Sequence, residues 1–130
     1  MNLESSTVTV SKSPEEVFNF LTNVENFEQL MPESIQKFEM LNDTRFLFQL
    51  KGMPEIVLEK KETEEFSKVI LGAASDKLPF TLTANIEAQD EQNSNVQLVF
   101  DGEFNAMMAM MIKKPLQNFI NTLSDNITKL

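Results

Sequence analysis

The stretch Asn105–Leu130, NAMMAMMIKKPLQNFINTLSDNITKL, decides how everything before it is read. Apolar residues recur at Ile112, Leu116, Phe119, Leu123, Ile127 and Leu130, steps of three and four that put one continuous apolar stripe on a helix. At about 1.5 Å per residue such a helix reaches on the order of 37 Å, enough to cross a small domain. A stripe of that length must lie against another layer, and the preceding chain supplies strand-like runs that each offer one apolar face.

Just before the helix, Val96, Leu98, Phe100, Gly102 and Phe104 alternate with Gln97, Val99, Asp101 and Glu103. Across the polar turn Asp90–Asn95, Phe80, Leu82, Ala84, Ile86 and Ala88 alternate in the same way with Thr81, Thr83, Asn85 and Glu87. Further back, Phe66–Ala73, Glu55–Glu62, Arg45–Lys51 and Ile35–Leu41 also read as strands, with corners at Thr63–Glu65, at Gly52, Met53 and Pro54, and at Asn42–Asp43. Ahead of them, Ser13, Pro14 and Glu16 form a capping-box start for a helix with Val17, Phe18, Leu21 and Val24 on one face. A break at Thr22–Asn23 begins a second short helix carrying Val24, Phe27, Leu30 and Met31, which Pro32 stops. The β-branched run within Leu3–Val10 is a first strand. The predicted order is therefore β-α-α-β6-α. It gives an α+β fold in which a curved antiparallel sheet of about seven strands wraps around the long C-terminal helix. No linker, repeat or low-complexity segment interrupts it, and residues 1–130 are expected to form one domain.

Composition limits the chemistry. Net charge is −9 and Arg45 is the single arginine, so a nucleic-acid partner would be repelled. There is no cysteine, which fits a reducing compartment, and no leader-like or membrane-length apolar segment, so a cytoplasmic location is expected. Histidine, tyrosine and tryptophan are absent as well, which removes the side chain best suited to proton transfer near neutrality. Eleven phenylalanines and eight methionines stand against that scarcity, large apolar groups able to line an interior without hydrogen-bond partners. Neither a cofactor nor a metal site is expected, since soft methionine sites usually also draw on histidine or cysteine.

Three stretches carry a family resemblance: the run SKSPEEVFNFL at Ser11–Leu21, the segment Val24–Pro32 ending in Leu-Met-Pro, and the apolar helix containing Pro115. Together with the element order they resemble the START and birch-pollen-allergen-like helix-grip superfamily, which includes polyketide cyclases. The resemblance covers essentially the whole chain and implies the helix-grip fold. Its members span lipid transfer, ring cyclisation, hormone sensing and chaperone activation, so the resemblance implies no single function. No cyclase-type catalytic motif is found, and no catalytic residue is assigned.

The surplus of Phe and Met on inward strand positions and at the helix start points to a binding module for a hydrophobic ligand, lipid-like or aromatic, held between sheet and helix. The expected lining is Phe48, Leu58, Ile70, Phe80, Leu82, Phe100, Phe104, Met108, Met111 and Ile112. An enzyme of cyclase, dehydratase or hydrolase type would instead need an ionisable group pointing inward, with Glu39, Glu59, Glu103 and Lys68 as candidates and Arg45 as a pairing partner. A third reading is a protein-interaction module, monomeric or dimeric. Met107, Met108, Met110 and Met111 cannot all face one core, so some must face a cavity or a partner. Pro115 predicts a kink or a late helix start, and Gly102 a bulge or a close approach.

Overall fold

In the computed structural model, which describes every residue except Gly52, Pro54 and residues 75–79, the first predicted strand is split. Asn2–Glu4 (β1) and Val8–Val10 (β2) both pair antiparallel with the last strand, Ser94–Gly102. Between Leu3↔Phe100 and Val8↔Val96 the N-terminal chain advances from 3 to 8 while its partner moves from 100 to 96, leaving one residue too many for a continuous ladder. Ser5 absorbs it. Its amide donates to the Leu98 carbonyl at 2.9 Å and its Oγ accepts the Leu98 amide at 2.9 Å, so the break leaves no buried backbone group of Leu98 unpaired.

Helix α1 (Pro14–Thr22) starts as the sequence predicts, with the Ser13 hydroxyl accepting the Glu16 amide at 3.2 Å and Glu16 reaching back to the Ser13 amide. At its other end the Lys60 ammonium donates to the Thr22 carbonyl at 3.2 Å, a cation at the negative end of the helix dipole. Val24–Leu30 follows as one 3₁₀ helix, and the Asn126 side chain ties its last carbonyl, that of Leu30, to the terminal helix at 2.8 Å.

Six strands then run as an antiparallel meander: β3 (Ile35–Asn42), β4 (Arg45–Leu50), β5 (Ile56–Glu64), β6 (Lys68–Ala73), β7 (Phe80–Ala88) and β8 (Ser94–Gly102). The sheet order is β1-β8-β7-β6-β5-β4-β3, with β2 beside β8. Among the described residues eight strands replace the predicted seven because the N-terminal one is divided. Of the corner predicted at Gly52, Met53 and Pro54, the glycine and proline lie outside the described residues. Met53 is buried, and its amide donates to the Leu50 carbonyl at 3.0 Å. Strand β6 begins two residues later than predicted because Phe66 sits at the hairpin tip with φ 60, its ring edge-on to Phe18 at 5.6 Å. Inward positions alternate as the period of two requires: Phe46, Phe48 and Leu50 on β4, and Val96, Leu98, Phe100 and Gly102 on β8, are all buried.

Helix α2 (Ala106–Ile127) lies on that inner face, packed against β8, β1 and the 3₁₀ helix. Asn105 caps it by accepting the Met108 amide at 2.8 Å. Pro115 neither delays nor ends the helix; its missing amide leaves the Met111 carbonyl without the usual donor four residues on. Burial along α2 is uneven. Leu116, Phe119, Ile120, Leu123 and Ile127 are buried in the second half, whereas Ile112 is the one buried residue before Pro115. A column of aromatic rings fills the space under the buried half: Phe46 packs on Phe27, Phe38 and Phe48 at 5.2 to 5.9 Å, and Phe48 stacks on Phe119 at 5.0 Å. Among the described residues no helix is long and apolar enough to cross a membrane.

Candidate functional site

The strand registers gather several chain segments at one end of the sheet. The pairs Ile35↔Leu50, Phe48↔Ile56, Leu58↔Ala73 and Phe80↔Gly102 put the starts of β3, β5 and β7, the ends of β4, β6 and β8 and the start of α2 on the same side. There, between α2 and the end of β4, lies a half-open groove of about 290 Å³ lined by Pro32, Ser34, Leu50, Lys51, Lys114, Pro115, Asn118, Phe119 and Thr122. Each wall has a local cause. Pro32 ends the 3₁₀ helix and its carbonyl accepts the Ile35 amide at 3.1 Å, while the Lys51 amide donates to the Ser34 carbonyl at 3.2 Å, fixing one rim. The opposite rim is the α2 turn around Pro115, where Asn118 and Thr122 follow at helical spacing and the Thr122 hydroxyl donates to the Asn118 carbonyl at 2.9 Å. Buried Leu50 and Phe119, the latter only 4% exposed, make an apolar floor. None of the described lining residues is acidic.

Two other depressions differ in character. One of about 320 Å³ lies between the 3₁₀ helix and β3, and one of about 580 Å³ between α1 and the β5–β6 hairpin; both are wider dishes. Glu25 and Glu28 line the first, and Glu15 and Glu65 the second. An apolar or anionic ligand is better suited by the groove beside α2.

The ten residues expected to line a pocket distribute differently. Phe48, Leu58, Leu82, Phe100 and Ile112 are buried in the core, and Phe80, Phe104 and Met108 are half-buried against it. Phe80, Phe100 and Phe104 form a stack at 5.2 and 6.2 Å over Gly102. Two expectations are corrected. Ile70 alternates with buried Val69 and Leu71, so the period of two turns it to the outer face of the sheet. Met111 is 68% exposed, on the side of α2 away from the core, together with Met107 and Met110. Phe48 meets Phe119 ring to ring, so side chains fill the interior at that point. The groove residues are different ones, and the sequence signal that marks them is the pair Lys114–Pro115 inside an apolar helix together with the strand end Leu50–Lys51.

The ionisable candidates for catalysis face outward. Arg45 and Glu59 pair across β4 and β5, but both alternate with the buried Phe46 and Leu58 and so lie on the outer face of the sheet. The Lys61 ammonium at 2.6 Å and the Arg45 guanidinium, whose Nε donates at 2.9 Å, hold the Glu59 carboxyl below the usual carboxylate range. Such a group stays ionised near neutrality and cannot serve as a general acid there. Glu39 and Glu103 are exposed, and Lys68 pairs with Glu64 at 3.8 Å, on the same face as Ile70.

No protein-family model matches the chain, and no curated protein sequence does. Solved structures do match. A START superfamily protein from Mycobacterium smegmatis superposes with a TM-score of 0.69 at 14% identity, covering 98% of this chain and 97% of that one. Norcoclaurine synthase from Thalictrum flavum, in complex with dopamine and hydroxybenzaldehyde, gives 0.73 at 10% identity, covering 99% and 84%. A protein from Thermus thermophilus gives 0.76 at 12% identity, covering 99% and 95%. This chain has the helix-grip fold. At these identities the likeness carries architecture alone, and the same helix-grip frame holds both a START protein and a synthase. In this helix-grip chain the core side of α2 is buried mainly beyond Pro115, and the groove opens beside the turn from Lys114 to Thr122, over Phe119.

Proposed function

We propose that this chain is a single-domain binding module for a small hydrophobic molecule, lipid-like or aromatic, seated in the groove between α2 and the end of β4, and that it works in the cytoplasm. The observation that carries the reading is the groove itself: an apolar floor of Leu50 and Phe119 between the long helix and the sheet, flanked by Pro32 and Pro115, with Ser34, Asn118 and Thr122 as polar points of orientation. Ligand sites are typically concave and mostly apolar with a few placed polar groups, and about 290 Å³ stands at the small end of their usual range. That volume suits a single ring or an alkyl chain better than a polycyclic lipid. The outward placement of Glu39, Glu59, Glu103 and Lys68 favours binding over turnover. The test is native mass spectrometry of protein purified from its own source, paired with amide chemical-shift mapping. A co-purifying apolar ligand, with shifts at Leu50, Phe119 and Thr122 when it is added back, is the expected result. A bare mass, with no shifts from a panel of alkyl and aromatic compounds, would remove the reading.

A further inference from the structure

We infer that the groove between α2 and β4 selects an anionic amphiphile: a monomeric long-chain carboxylate whose alkyl tail lies on Leu50 and Phe119 and whose head group sits between the ammonium groups of Lys51 and Lys114. This rests on the groove being the binding site, as proposed above.

The argument comes from charge placement. The chain carries twenty acidic and eleven basic side chains, so a lysine has acids available nearly everywhere. Lys12, Lys37, Arg45, Lys61 and Lys68 are all in ion pairs, and Lys60 is engaged with the Thr22 carbonyl. Of the four remaining described lysines, Lys51, Lys113, Lys114 and Lys129, none has an acidic partner among the described residues, and two, Lys51 and Lys114, come from distant parts of the chain to opposite rims of one groove. The groove also excludes acids from its described lining, whereas the two other depressions each include two. A carboxylate placed there meets two cations and no repelling group in that wall. Ser34 and Asn118 add a hydroxyl and an amide that can donate to it. The two sides of the groove thus match the two ends of an amphiphile: hydrocarbon against the buried floor, negative charge at the wet rim.

The experiment compares dodecanoate and dodecylammonium, each below its micelle concentration, and dodecanol, below its solubility limit, by isothermal titration calorimetry and by shift mapping at Leu50, Phe119 and Thr122. The wild-type chain is set beside K51Q/K114Q and, as a charge control away from the groove, K113Q/K129Q. Dodecanoate is expected to bind about tenfold more tightly than dodecanol, the sum of two exposed ion pairs, and dodecylammonium more weakly than either. That advantage should vanish in K51Q/K114Q, persist in K113Q/K129Q and shrink with added salt. Equal binding of dodecanoate and dodecanol, or an advantage untouched in K51Q/K114Q, overturns this inference and leaves the groove as a binding site. Failure of all three to bind or to shift the groove overturns the binding reading itself. Binding only to phosphatidylglycerol vesicles, with no response to monomeric dodecanoate, overturns the inference in favour of a membrane surface.

Discussion

Replacing Phe119 by alanine tests the fold and the floor of the groove together. The ring is 4% exposed and stacks on Phe48 at 5.0 Å with an interplanar angle of 14°. Burial of such a side chain is worth about 1.5–3 kcal/mol, and an aromatic pair about 0.5–1.5 kcal/mol beyond that. With the cavity left behind, Phe→Ala substitutions in cores cost about 3–5 kcal/mol. Phe119 also borders the groove, so part of the vacated space opens to solvent and neighbours can relax into it, which places the expected loss near the lower figure, about 3 kcal/mol. Against a total of roughly 5–15 kcal/mol that is a large share, and it should lower Tm by roughly 10 °C. With neither tryptophan nor tyrosine in the chain, urea unfolding is followed by far-ultraviolet circular dichroism rather than indole fluorescence. A double-mutant cycle with Phe48→Ala should return a coupling of about 0.5–1.5 kcal/mol from the stack. A loss under about 1 kcal/mol with no coupling would refute the reasoning, because it would mean that α2 is not gripped at Phe119.

Met111→Ala, by contrast, removes a side chain that already faces solvent and should change stability by no more than about 0.5 kcal/mol; a loss approaching that of Phe119→Ala would place this methionine in a core contact. Ser13→Ala breaks the capping box and should cost about 1 kcal/mol in denaturant melts, with ligand binding unaltered. At Gly102 an added methyl would come within 2.8 Å of the Phe104 ring and of Phe80 Cβ, so Gly102→Ala should destabilise by about 1–3 kcal/mol through overpacking, and an unchanged melting temperature would count against the tight aromatic end. Glu59 has a lowered carboxyl pKa through the Lys61 and Arg45 hydrogen bonds, so its contribution is present above the unfolded carboxylate pKa and is lost as pH falls through the folded value. The stability gap between wild type and Glu59→Gln should therefore close as thermal melts are taken from neutral pH into the acid range; a gap independent of pH would show the pairs to be inert.

Much of this architecture is legible in the sequence. The period of two in Phe80–Ala88 and the period near 3.6 in Ile112–Ile127 are local properties of the chain, and each correctly names the face that becomes buried. The capping box at Ser13 and the close approach at Gly102 were readable for the same reason, since their partners lie within a few residues or on the adjoining strand. Ile70 misled because, in an apolar run such as Val69–Ile70–Leu71, composition does not say which alternate residue turns inward; the register with β7 does. The four-methionine cluster likewise left its outward face undecided until the sheet and the 3₁₀ helix were seen to engage α2 mainly beyond Pro115. The groove was hidden for a deeper reason. Its walls come from the entry to β3, the end of β4 and the middle of α2, and periodicity within a segment carries no information about the distance between segments. Only the stacking of Phe48 on Phe119 and the pairing of Ile35 with Leu50 set that distance, closing the interior where a pocket was expected and leaving it open beside Lys51 and Lys114.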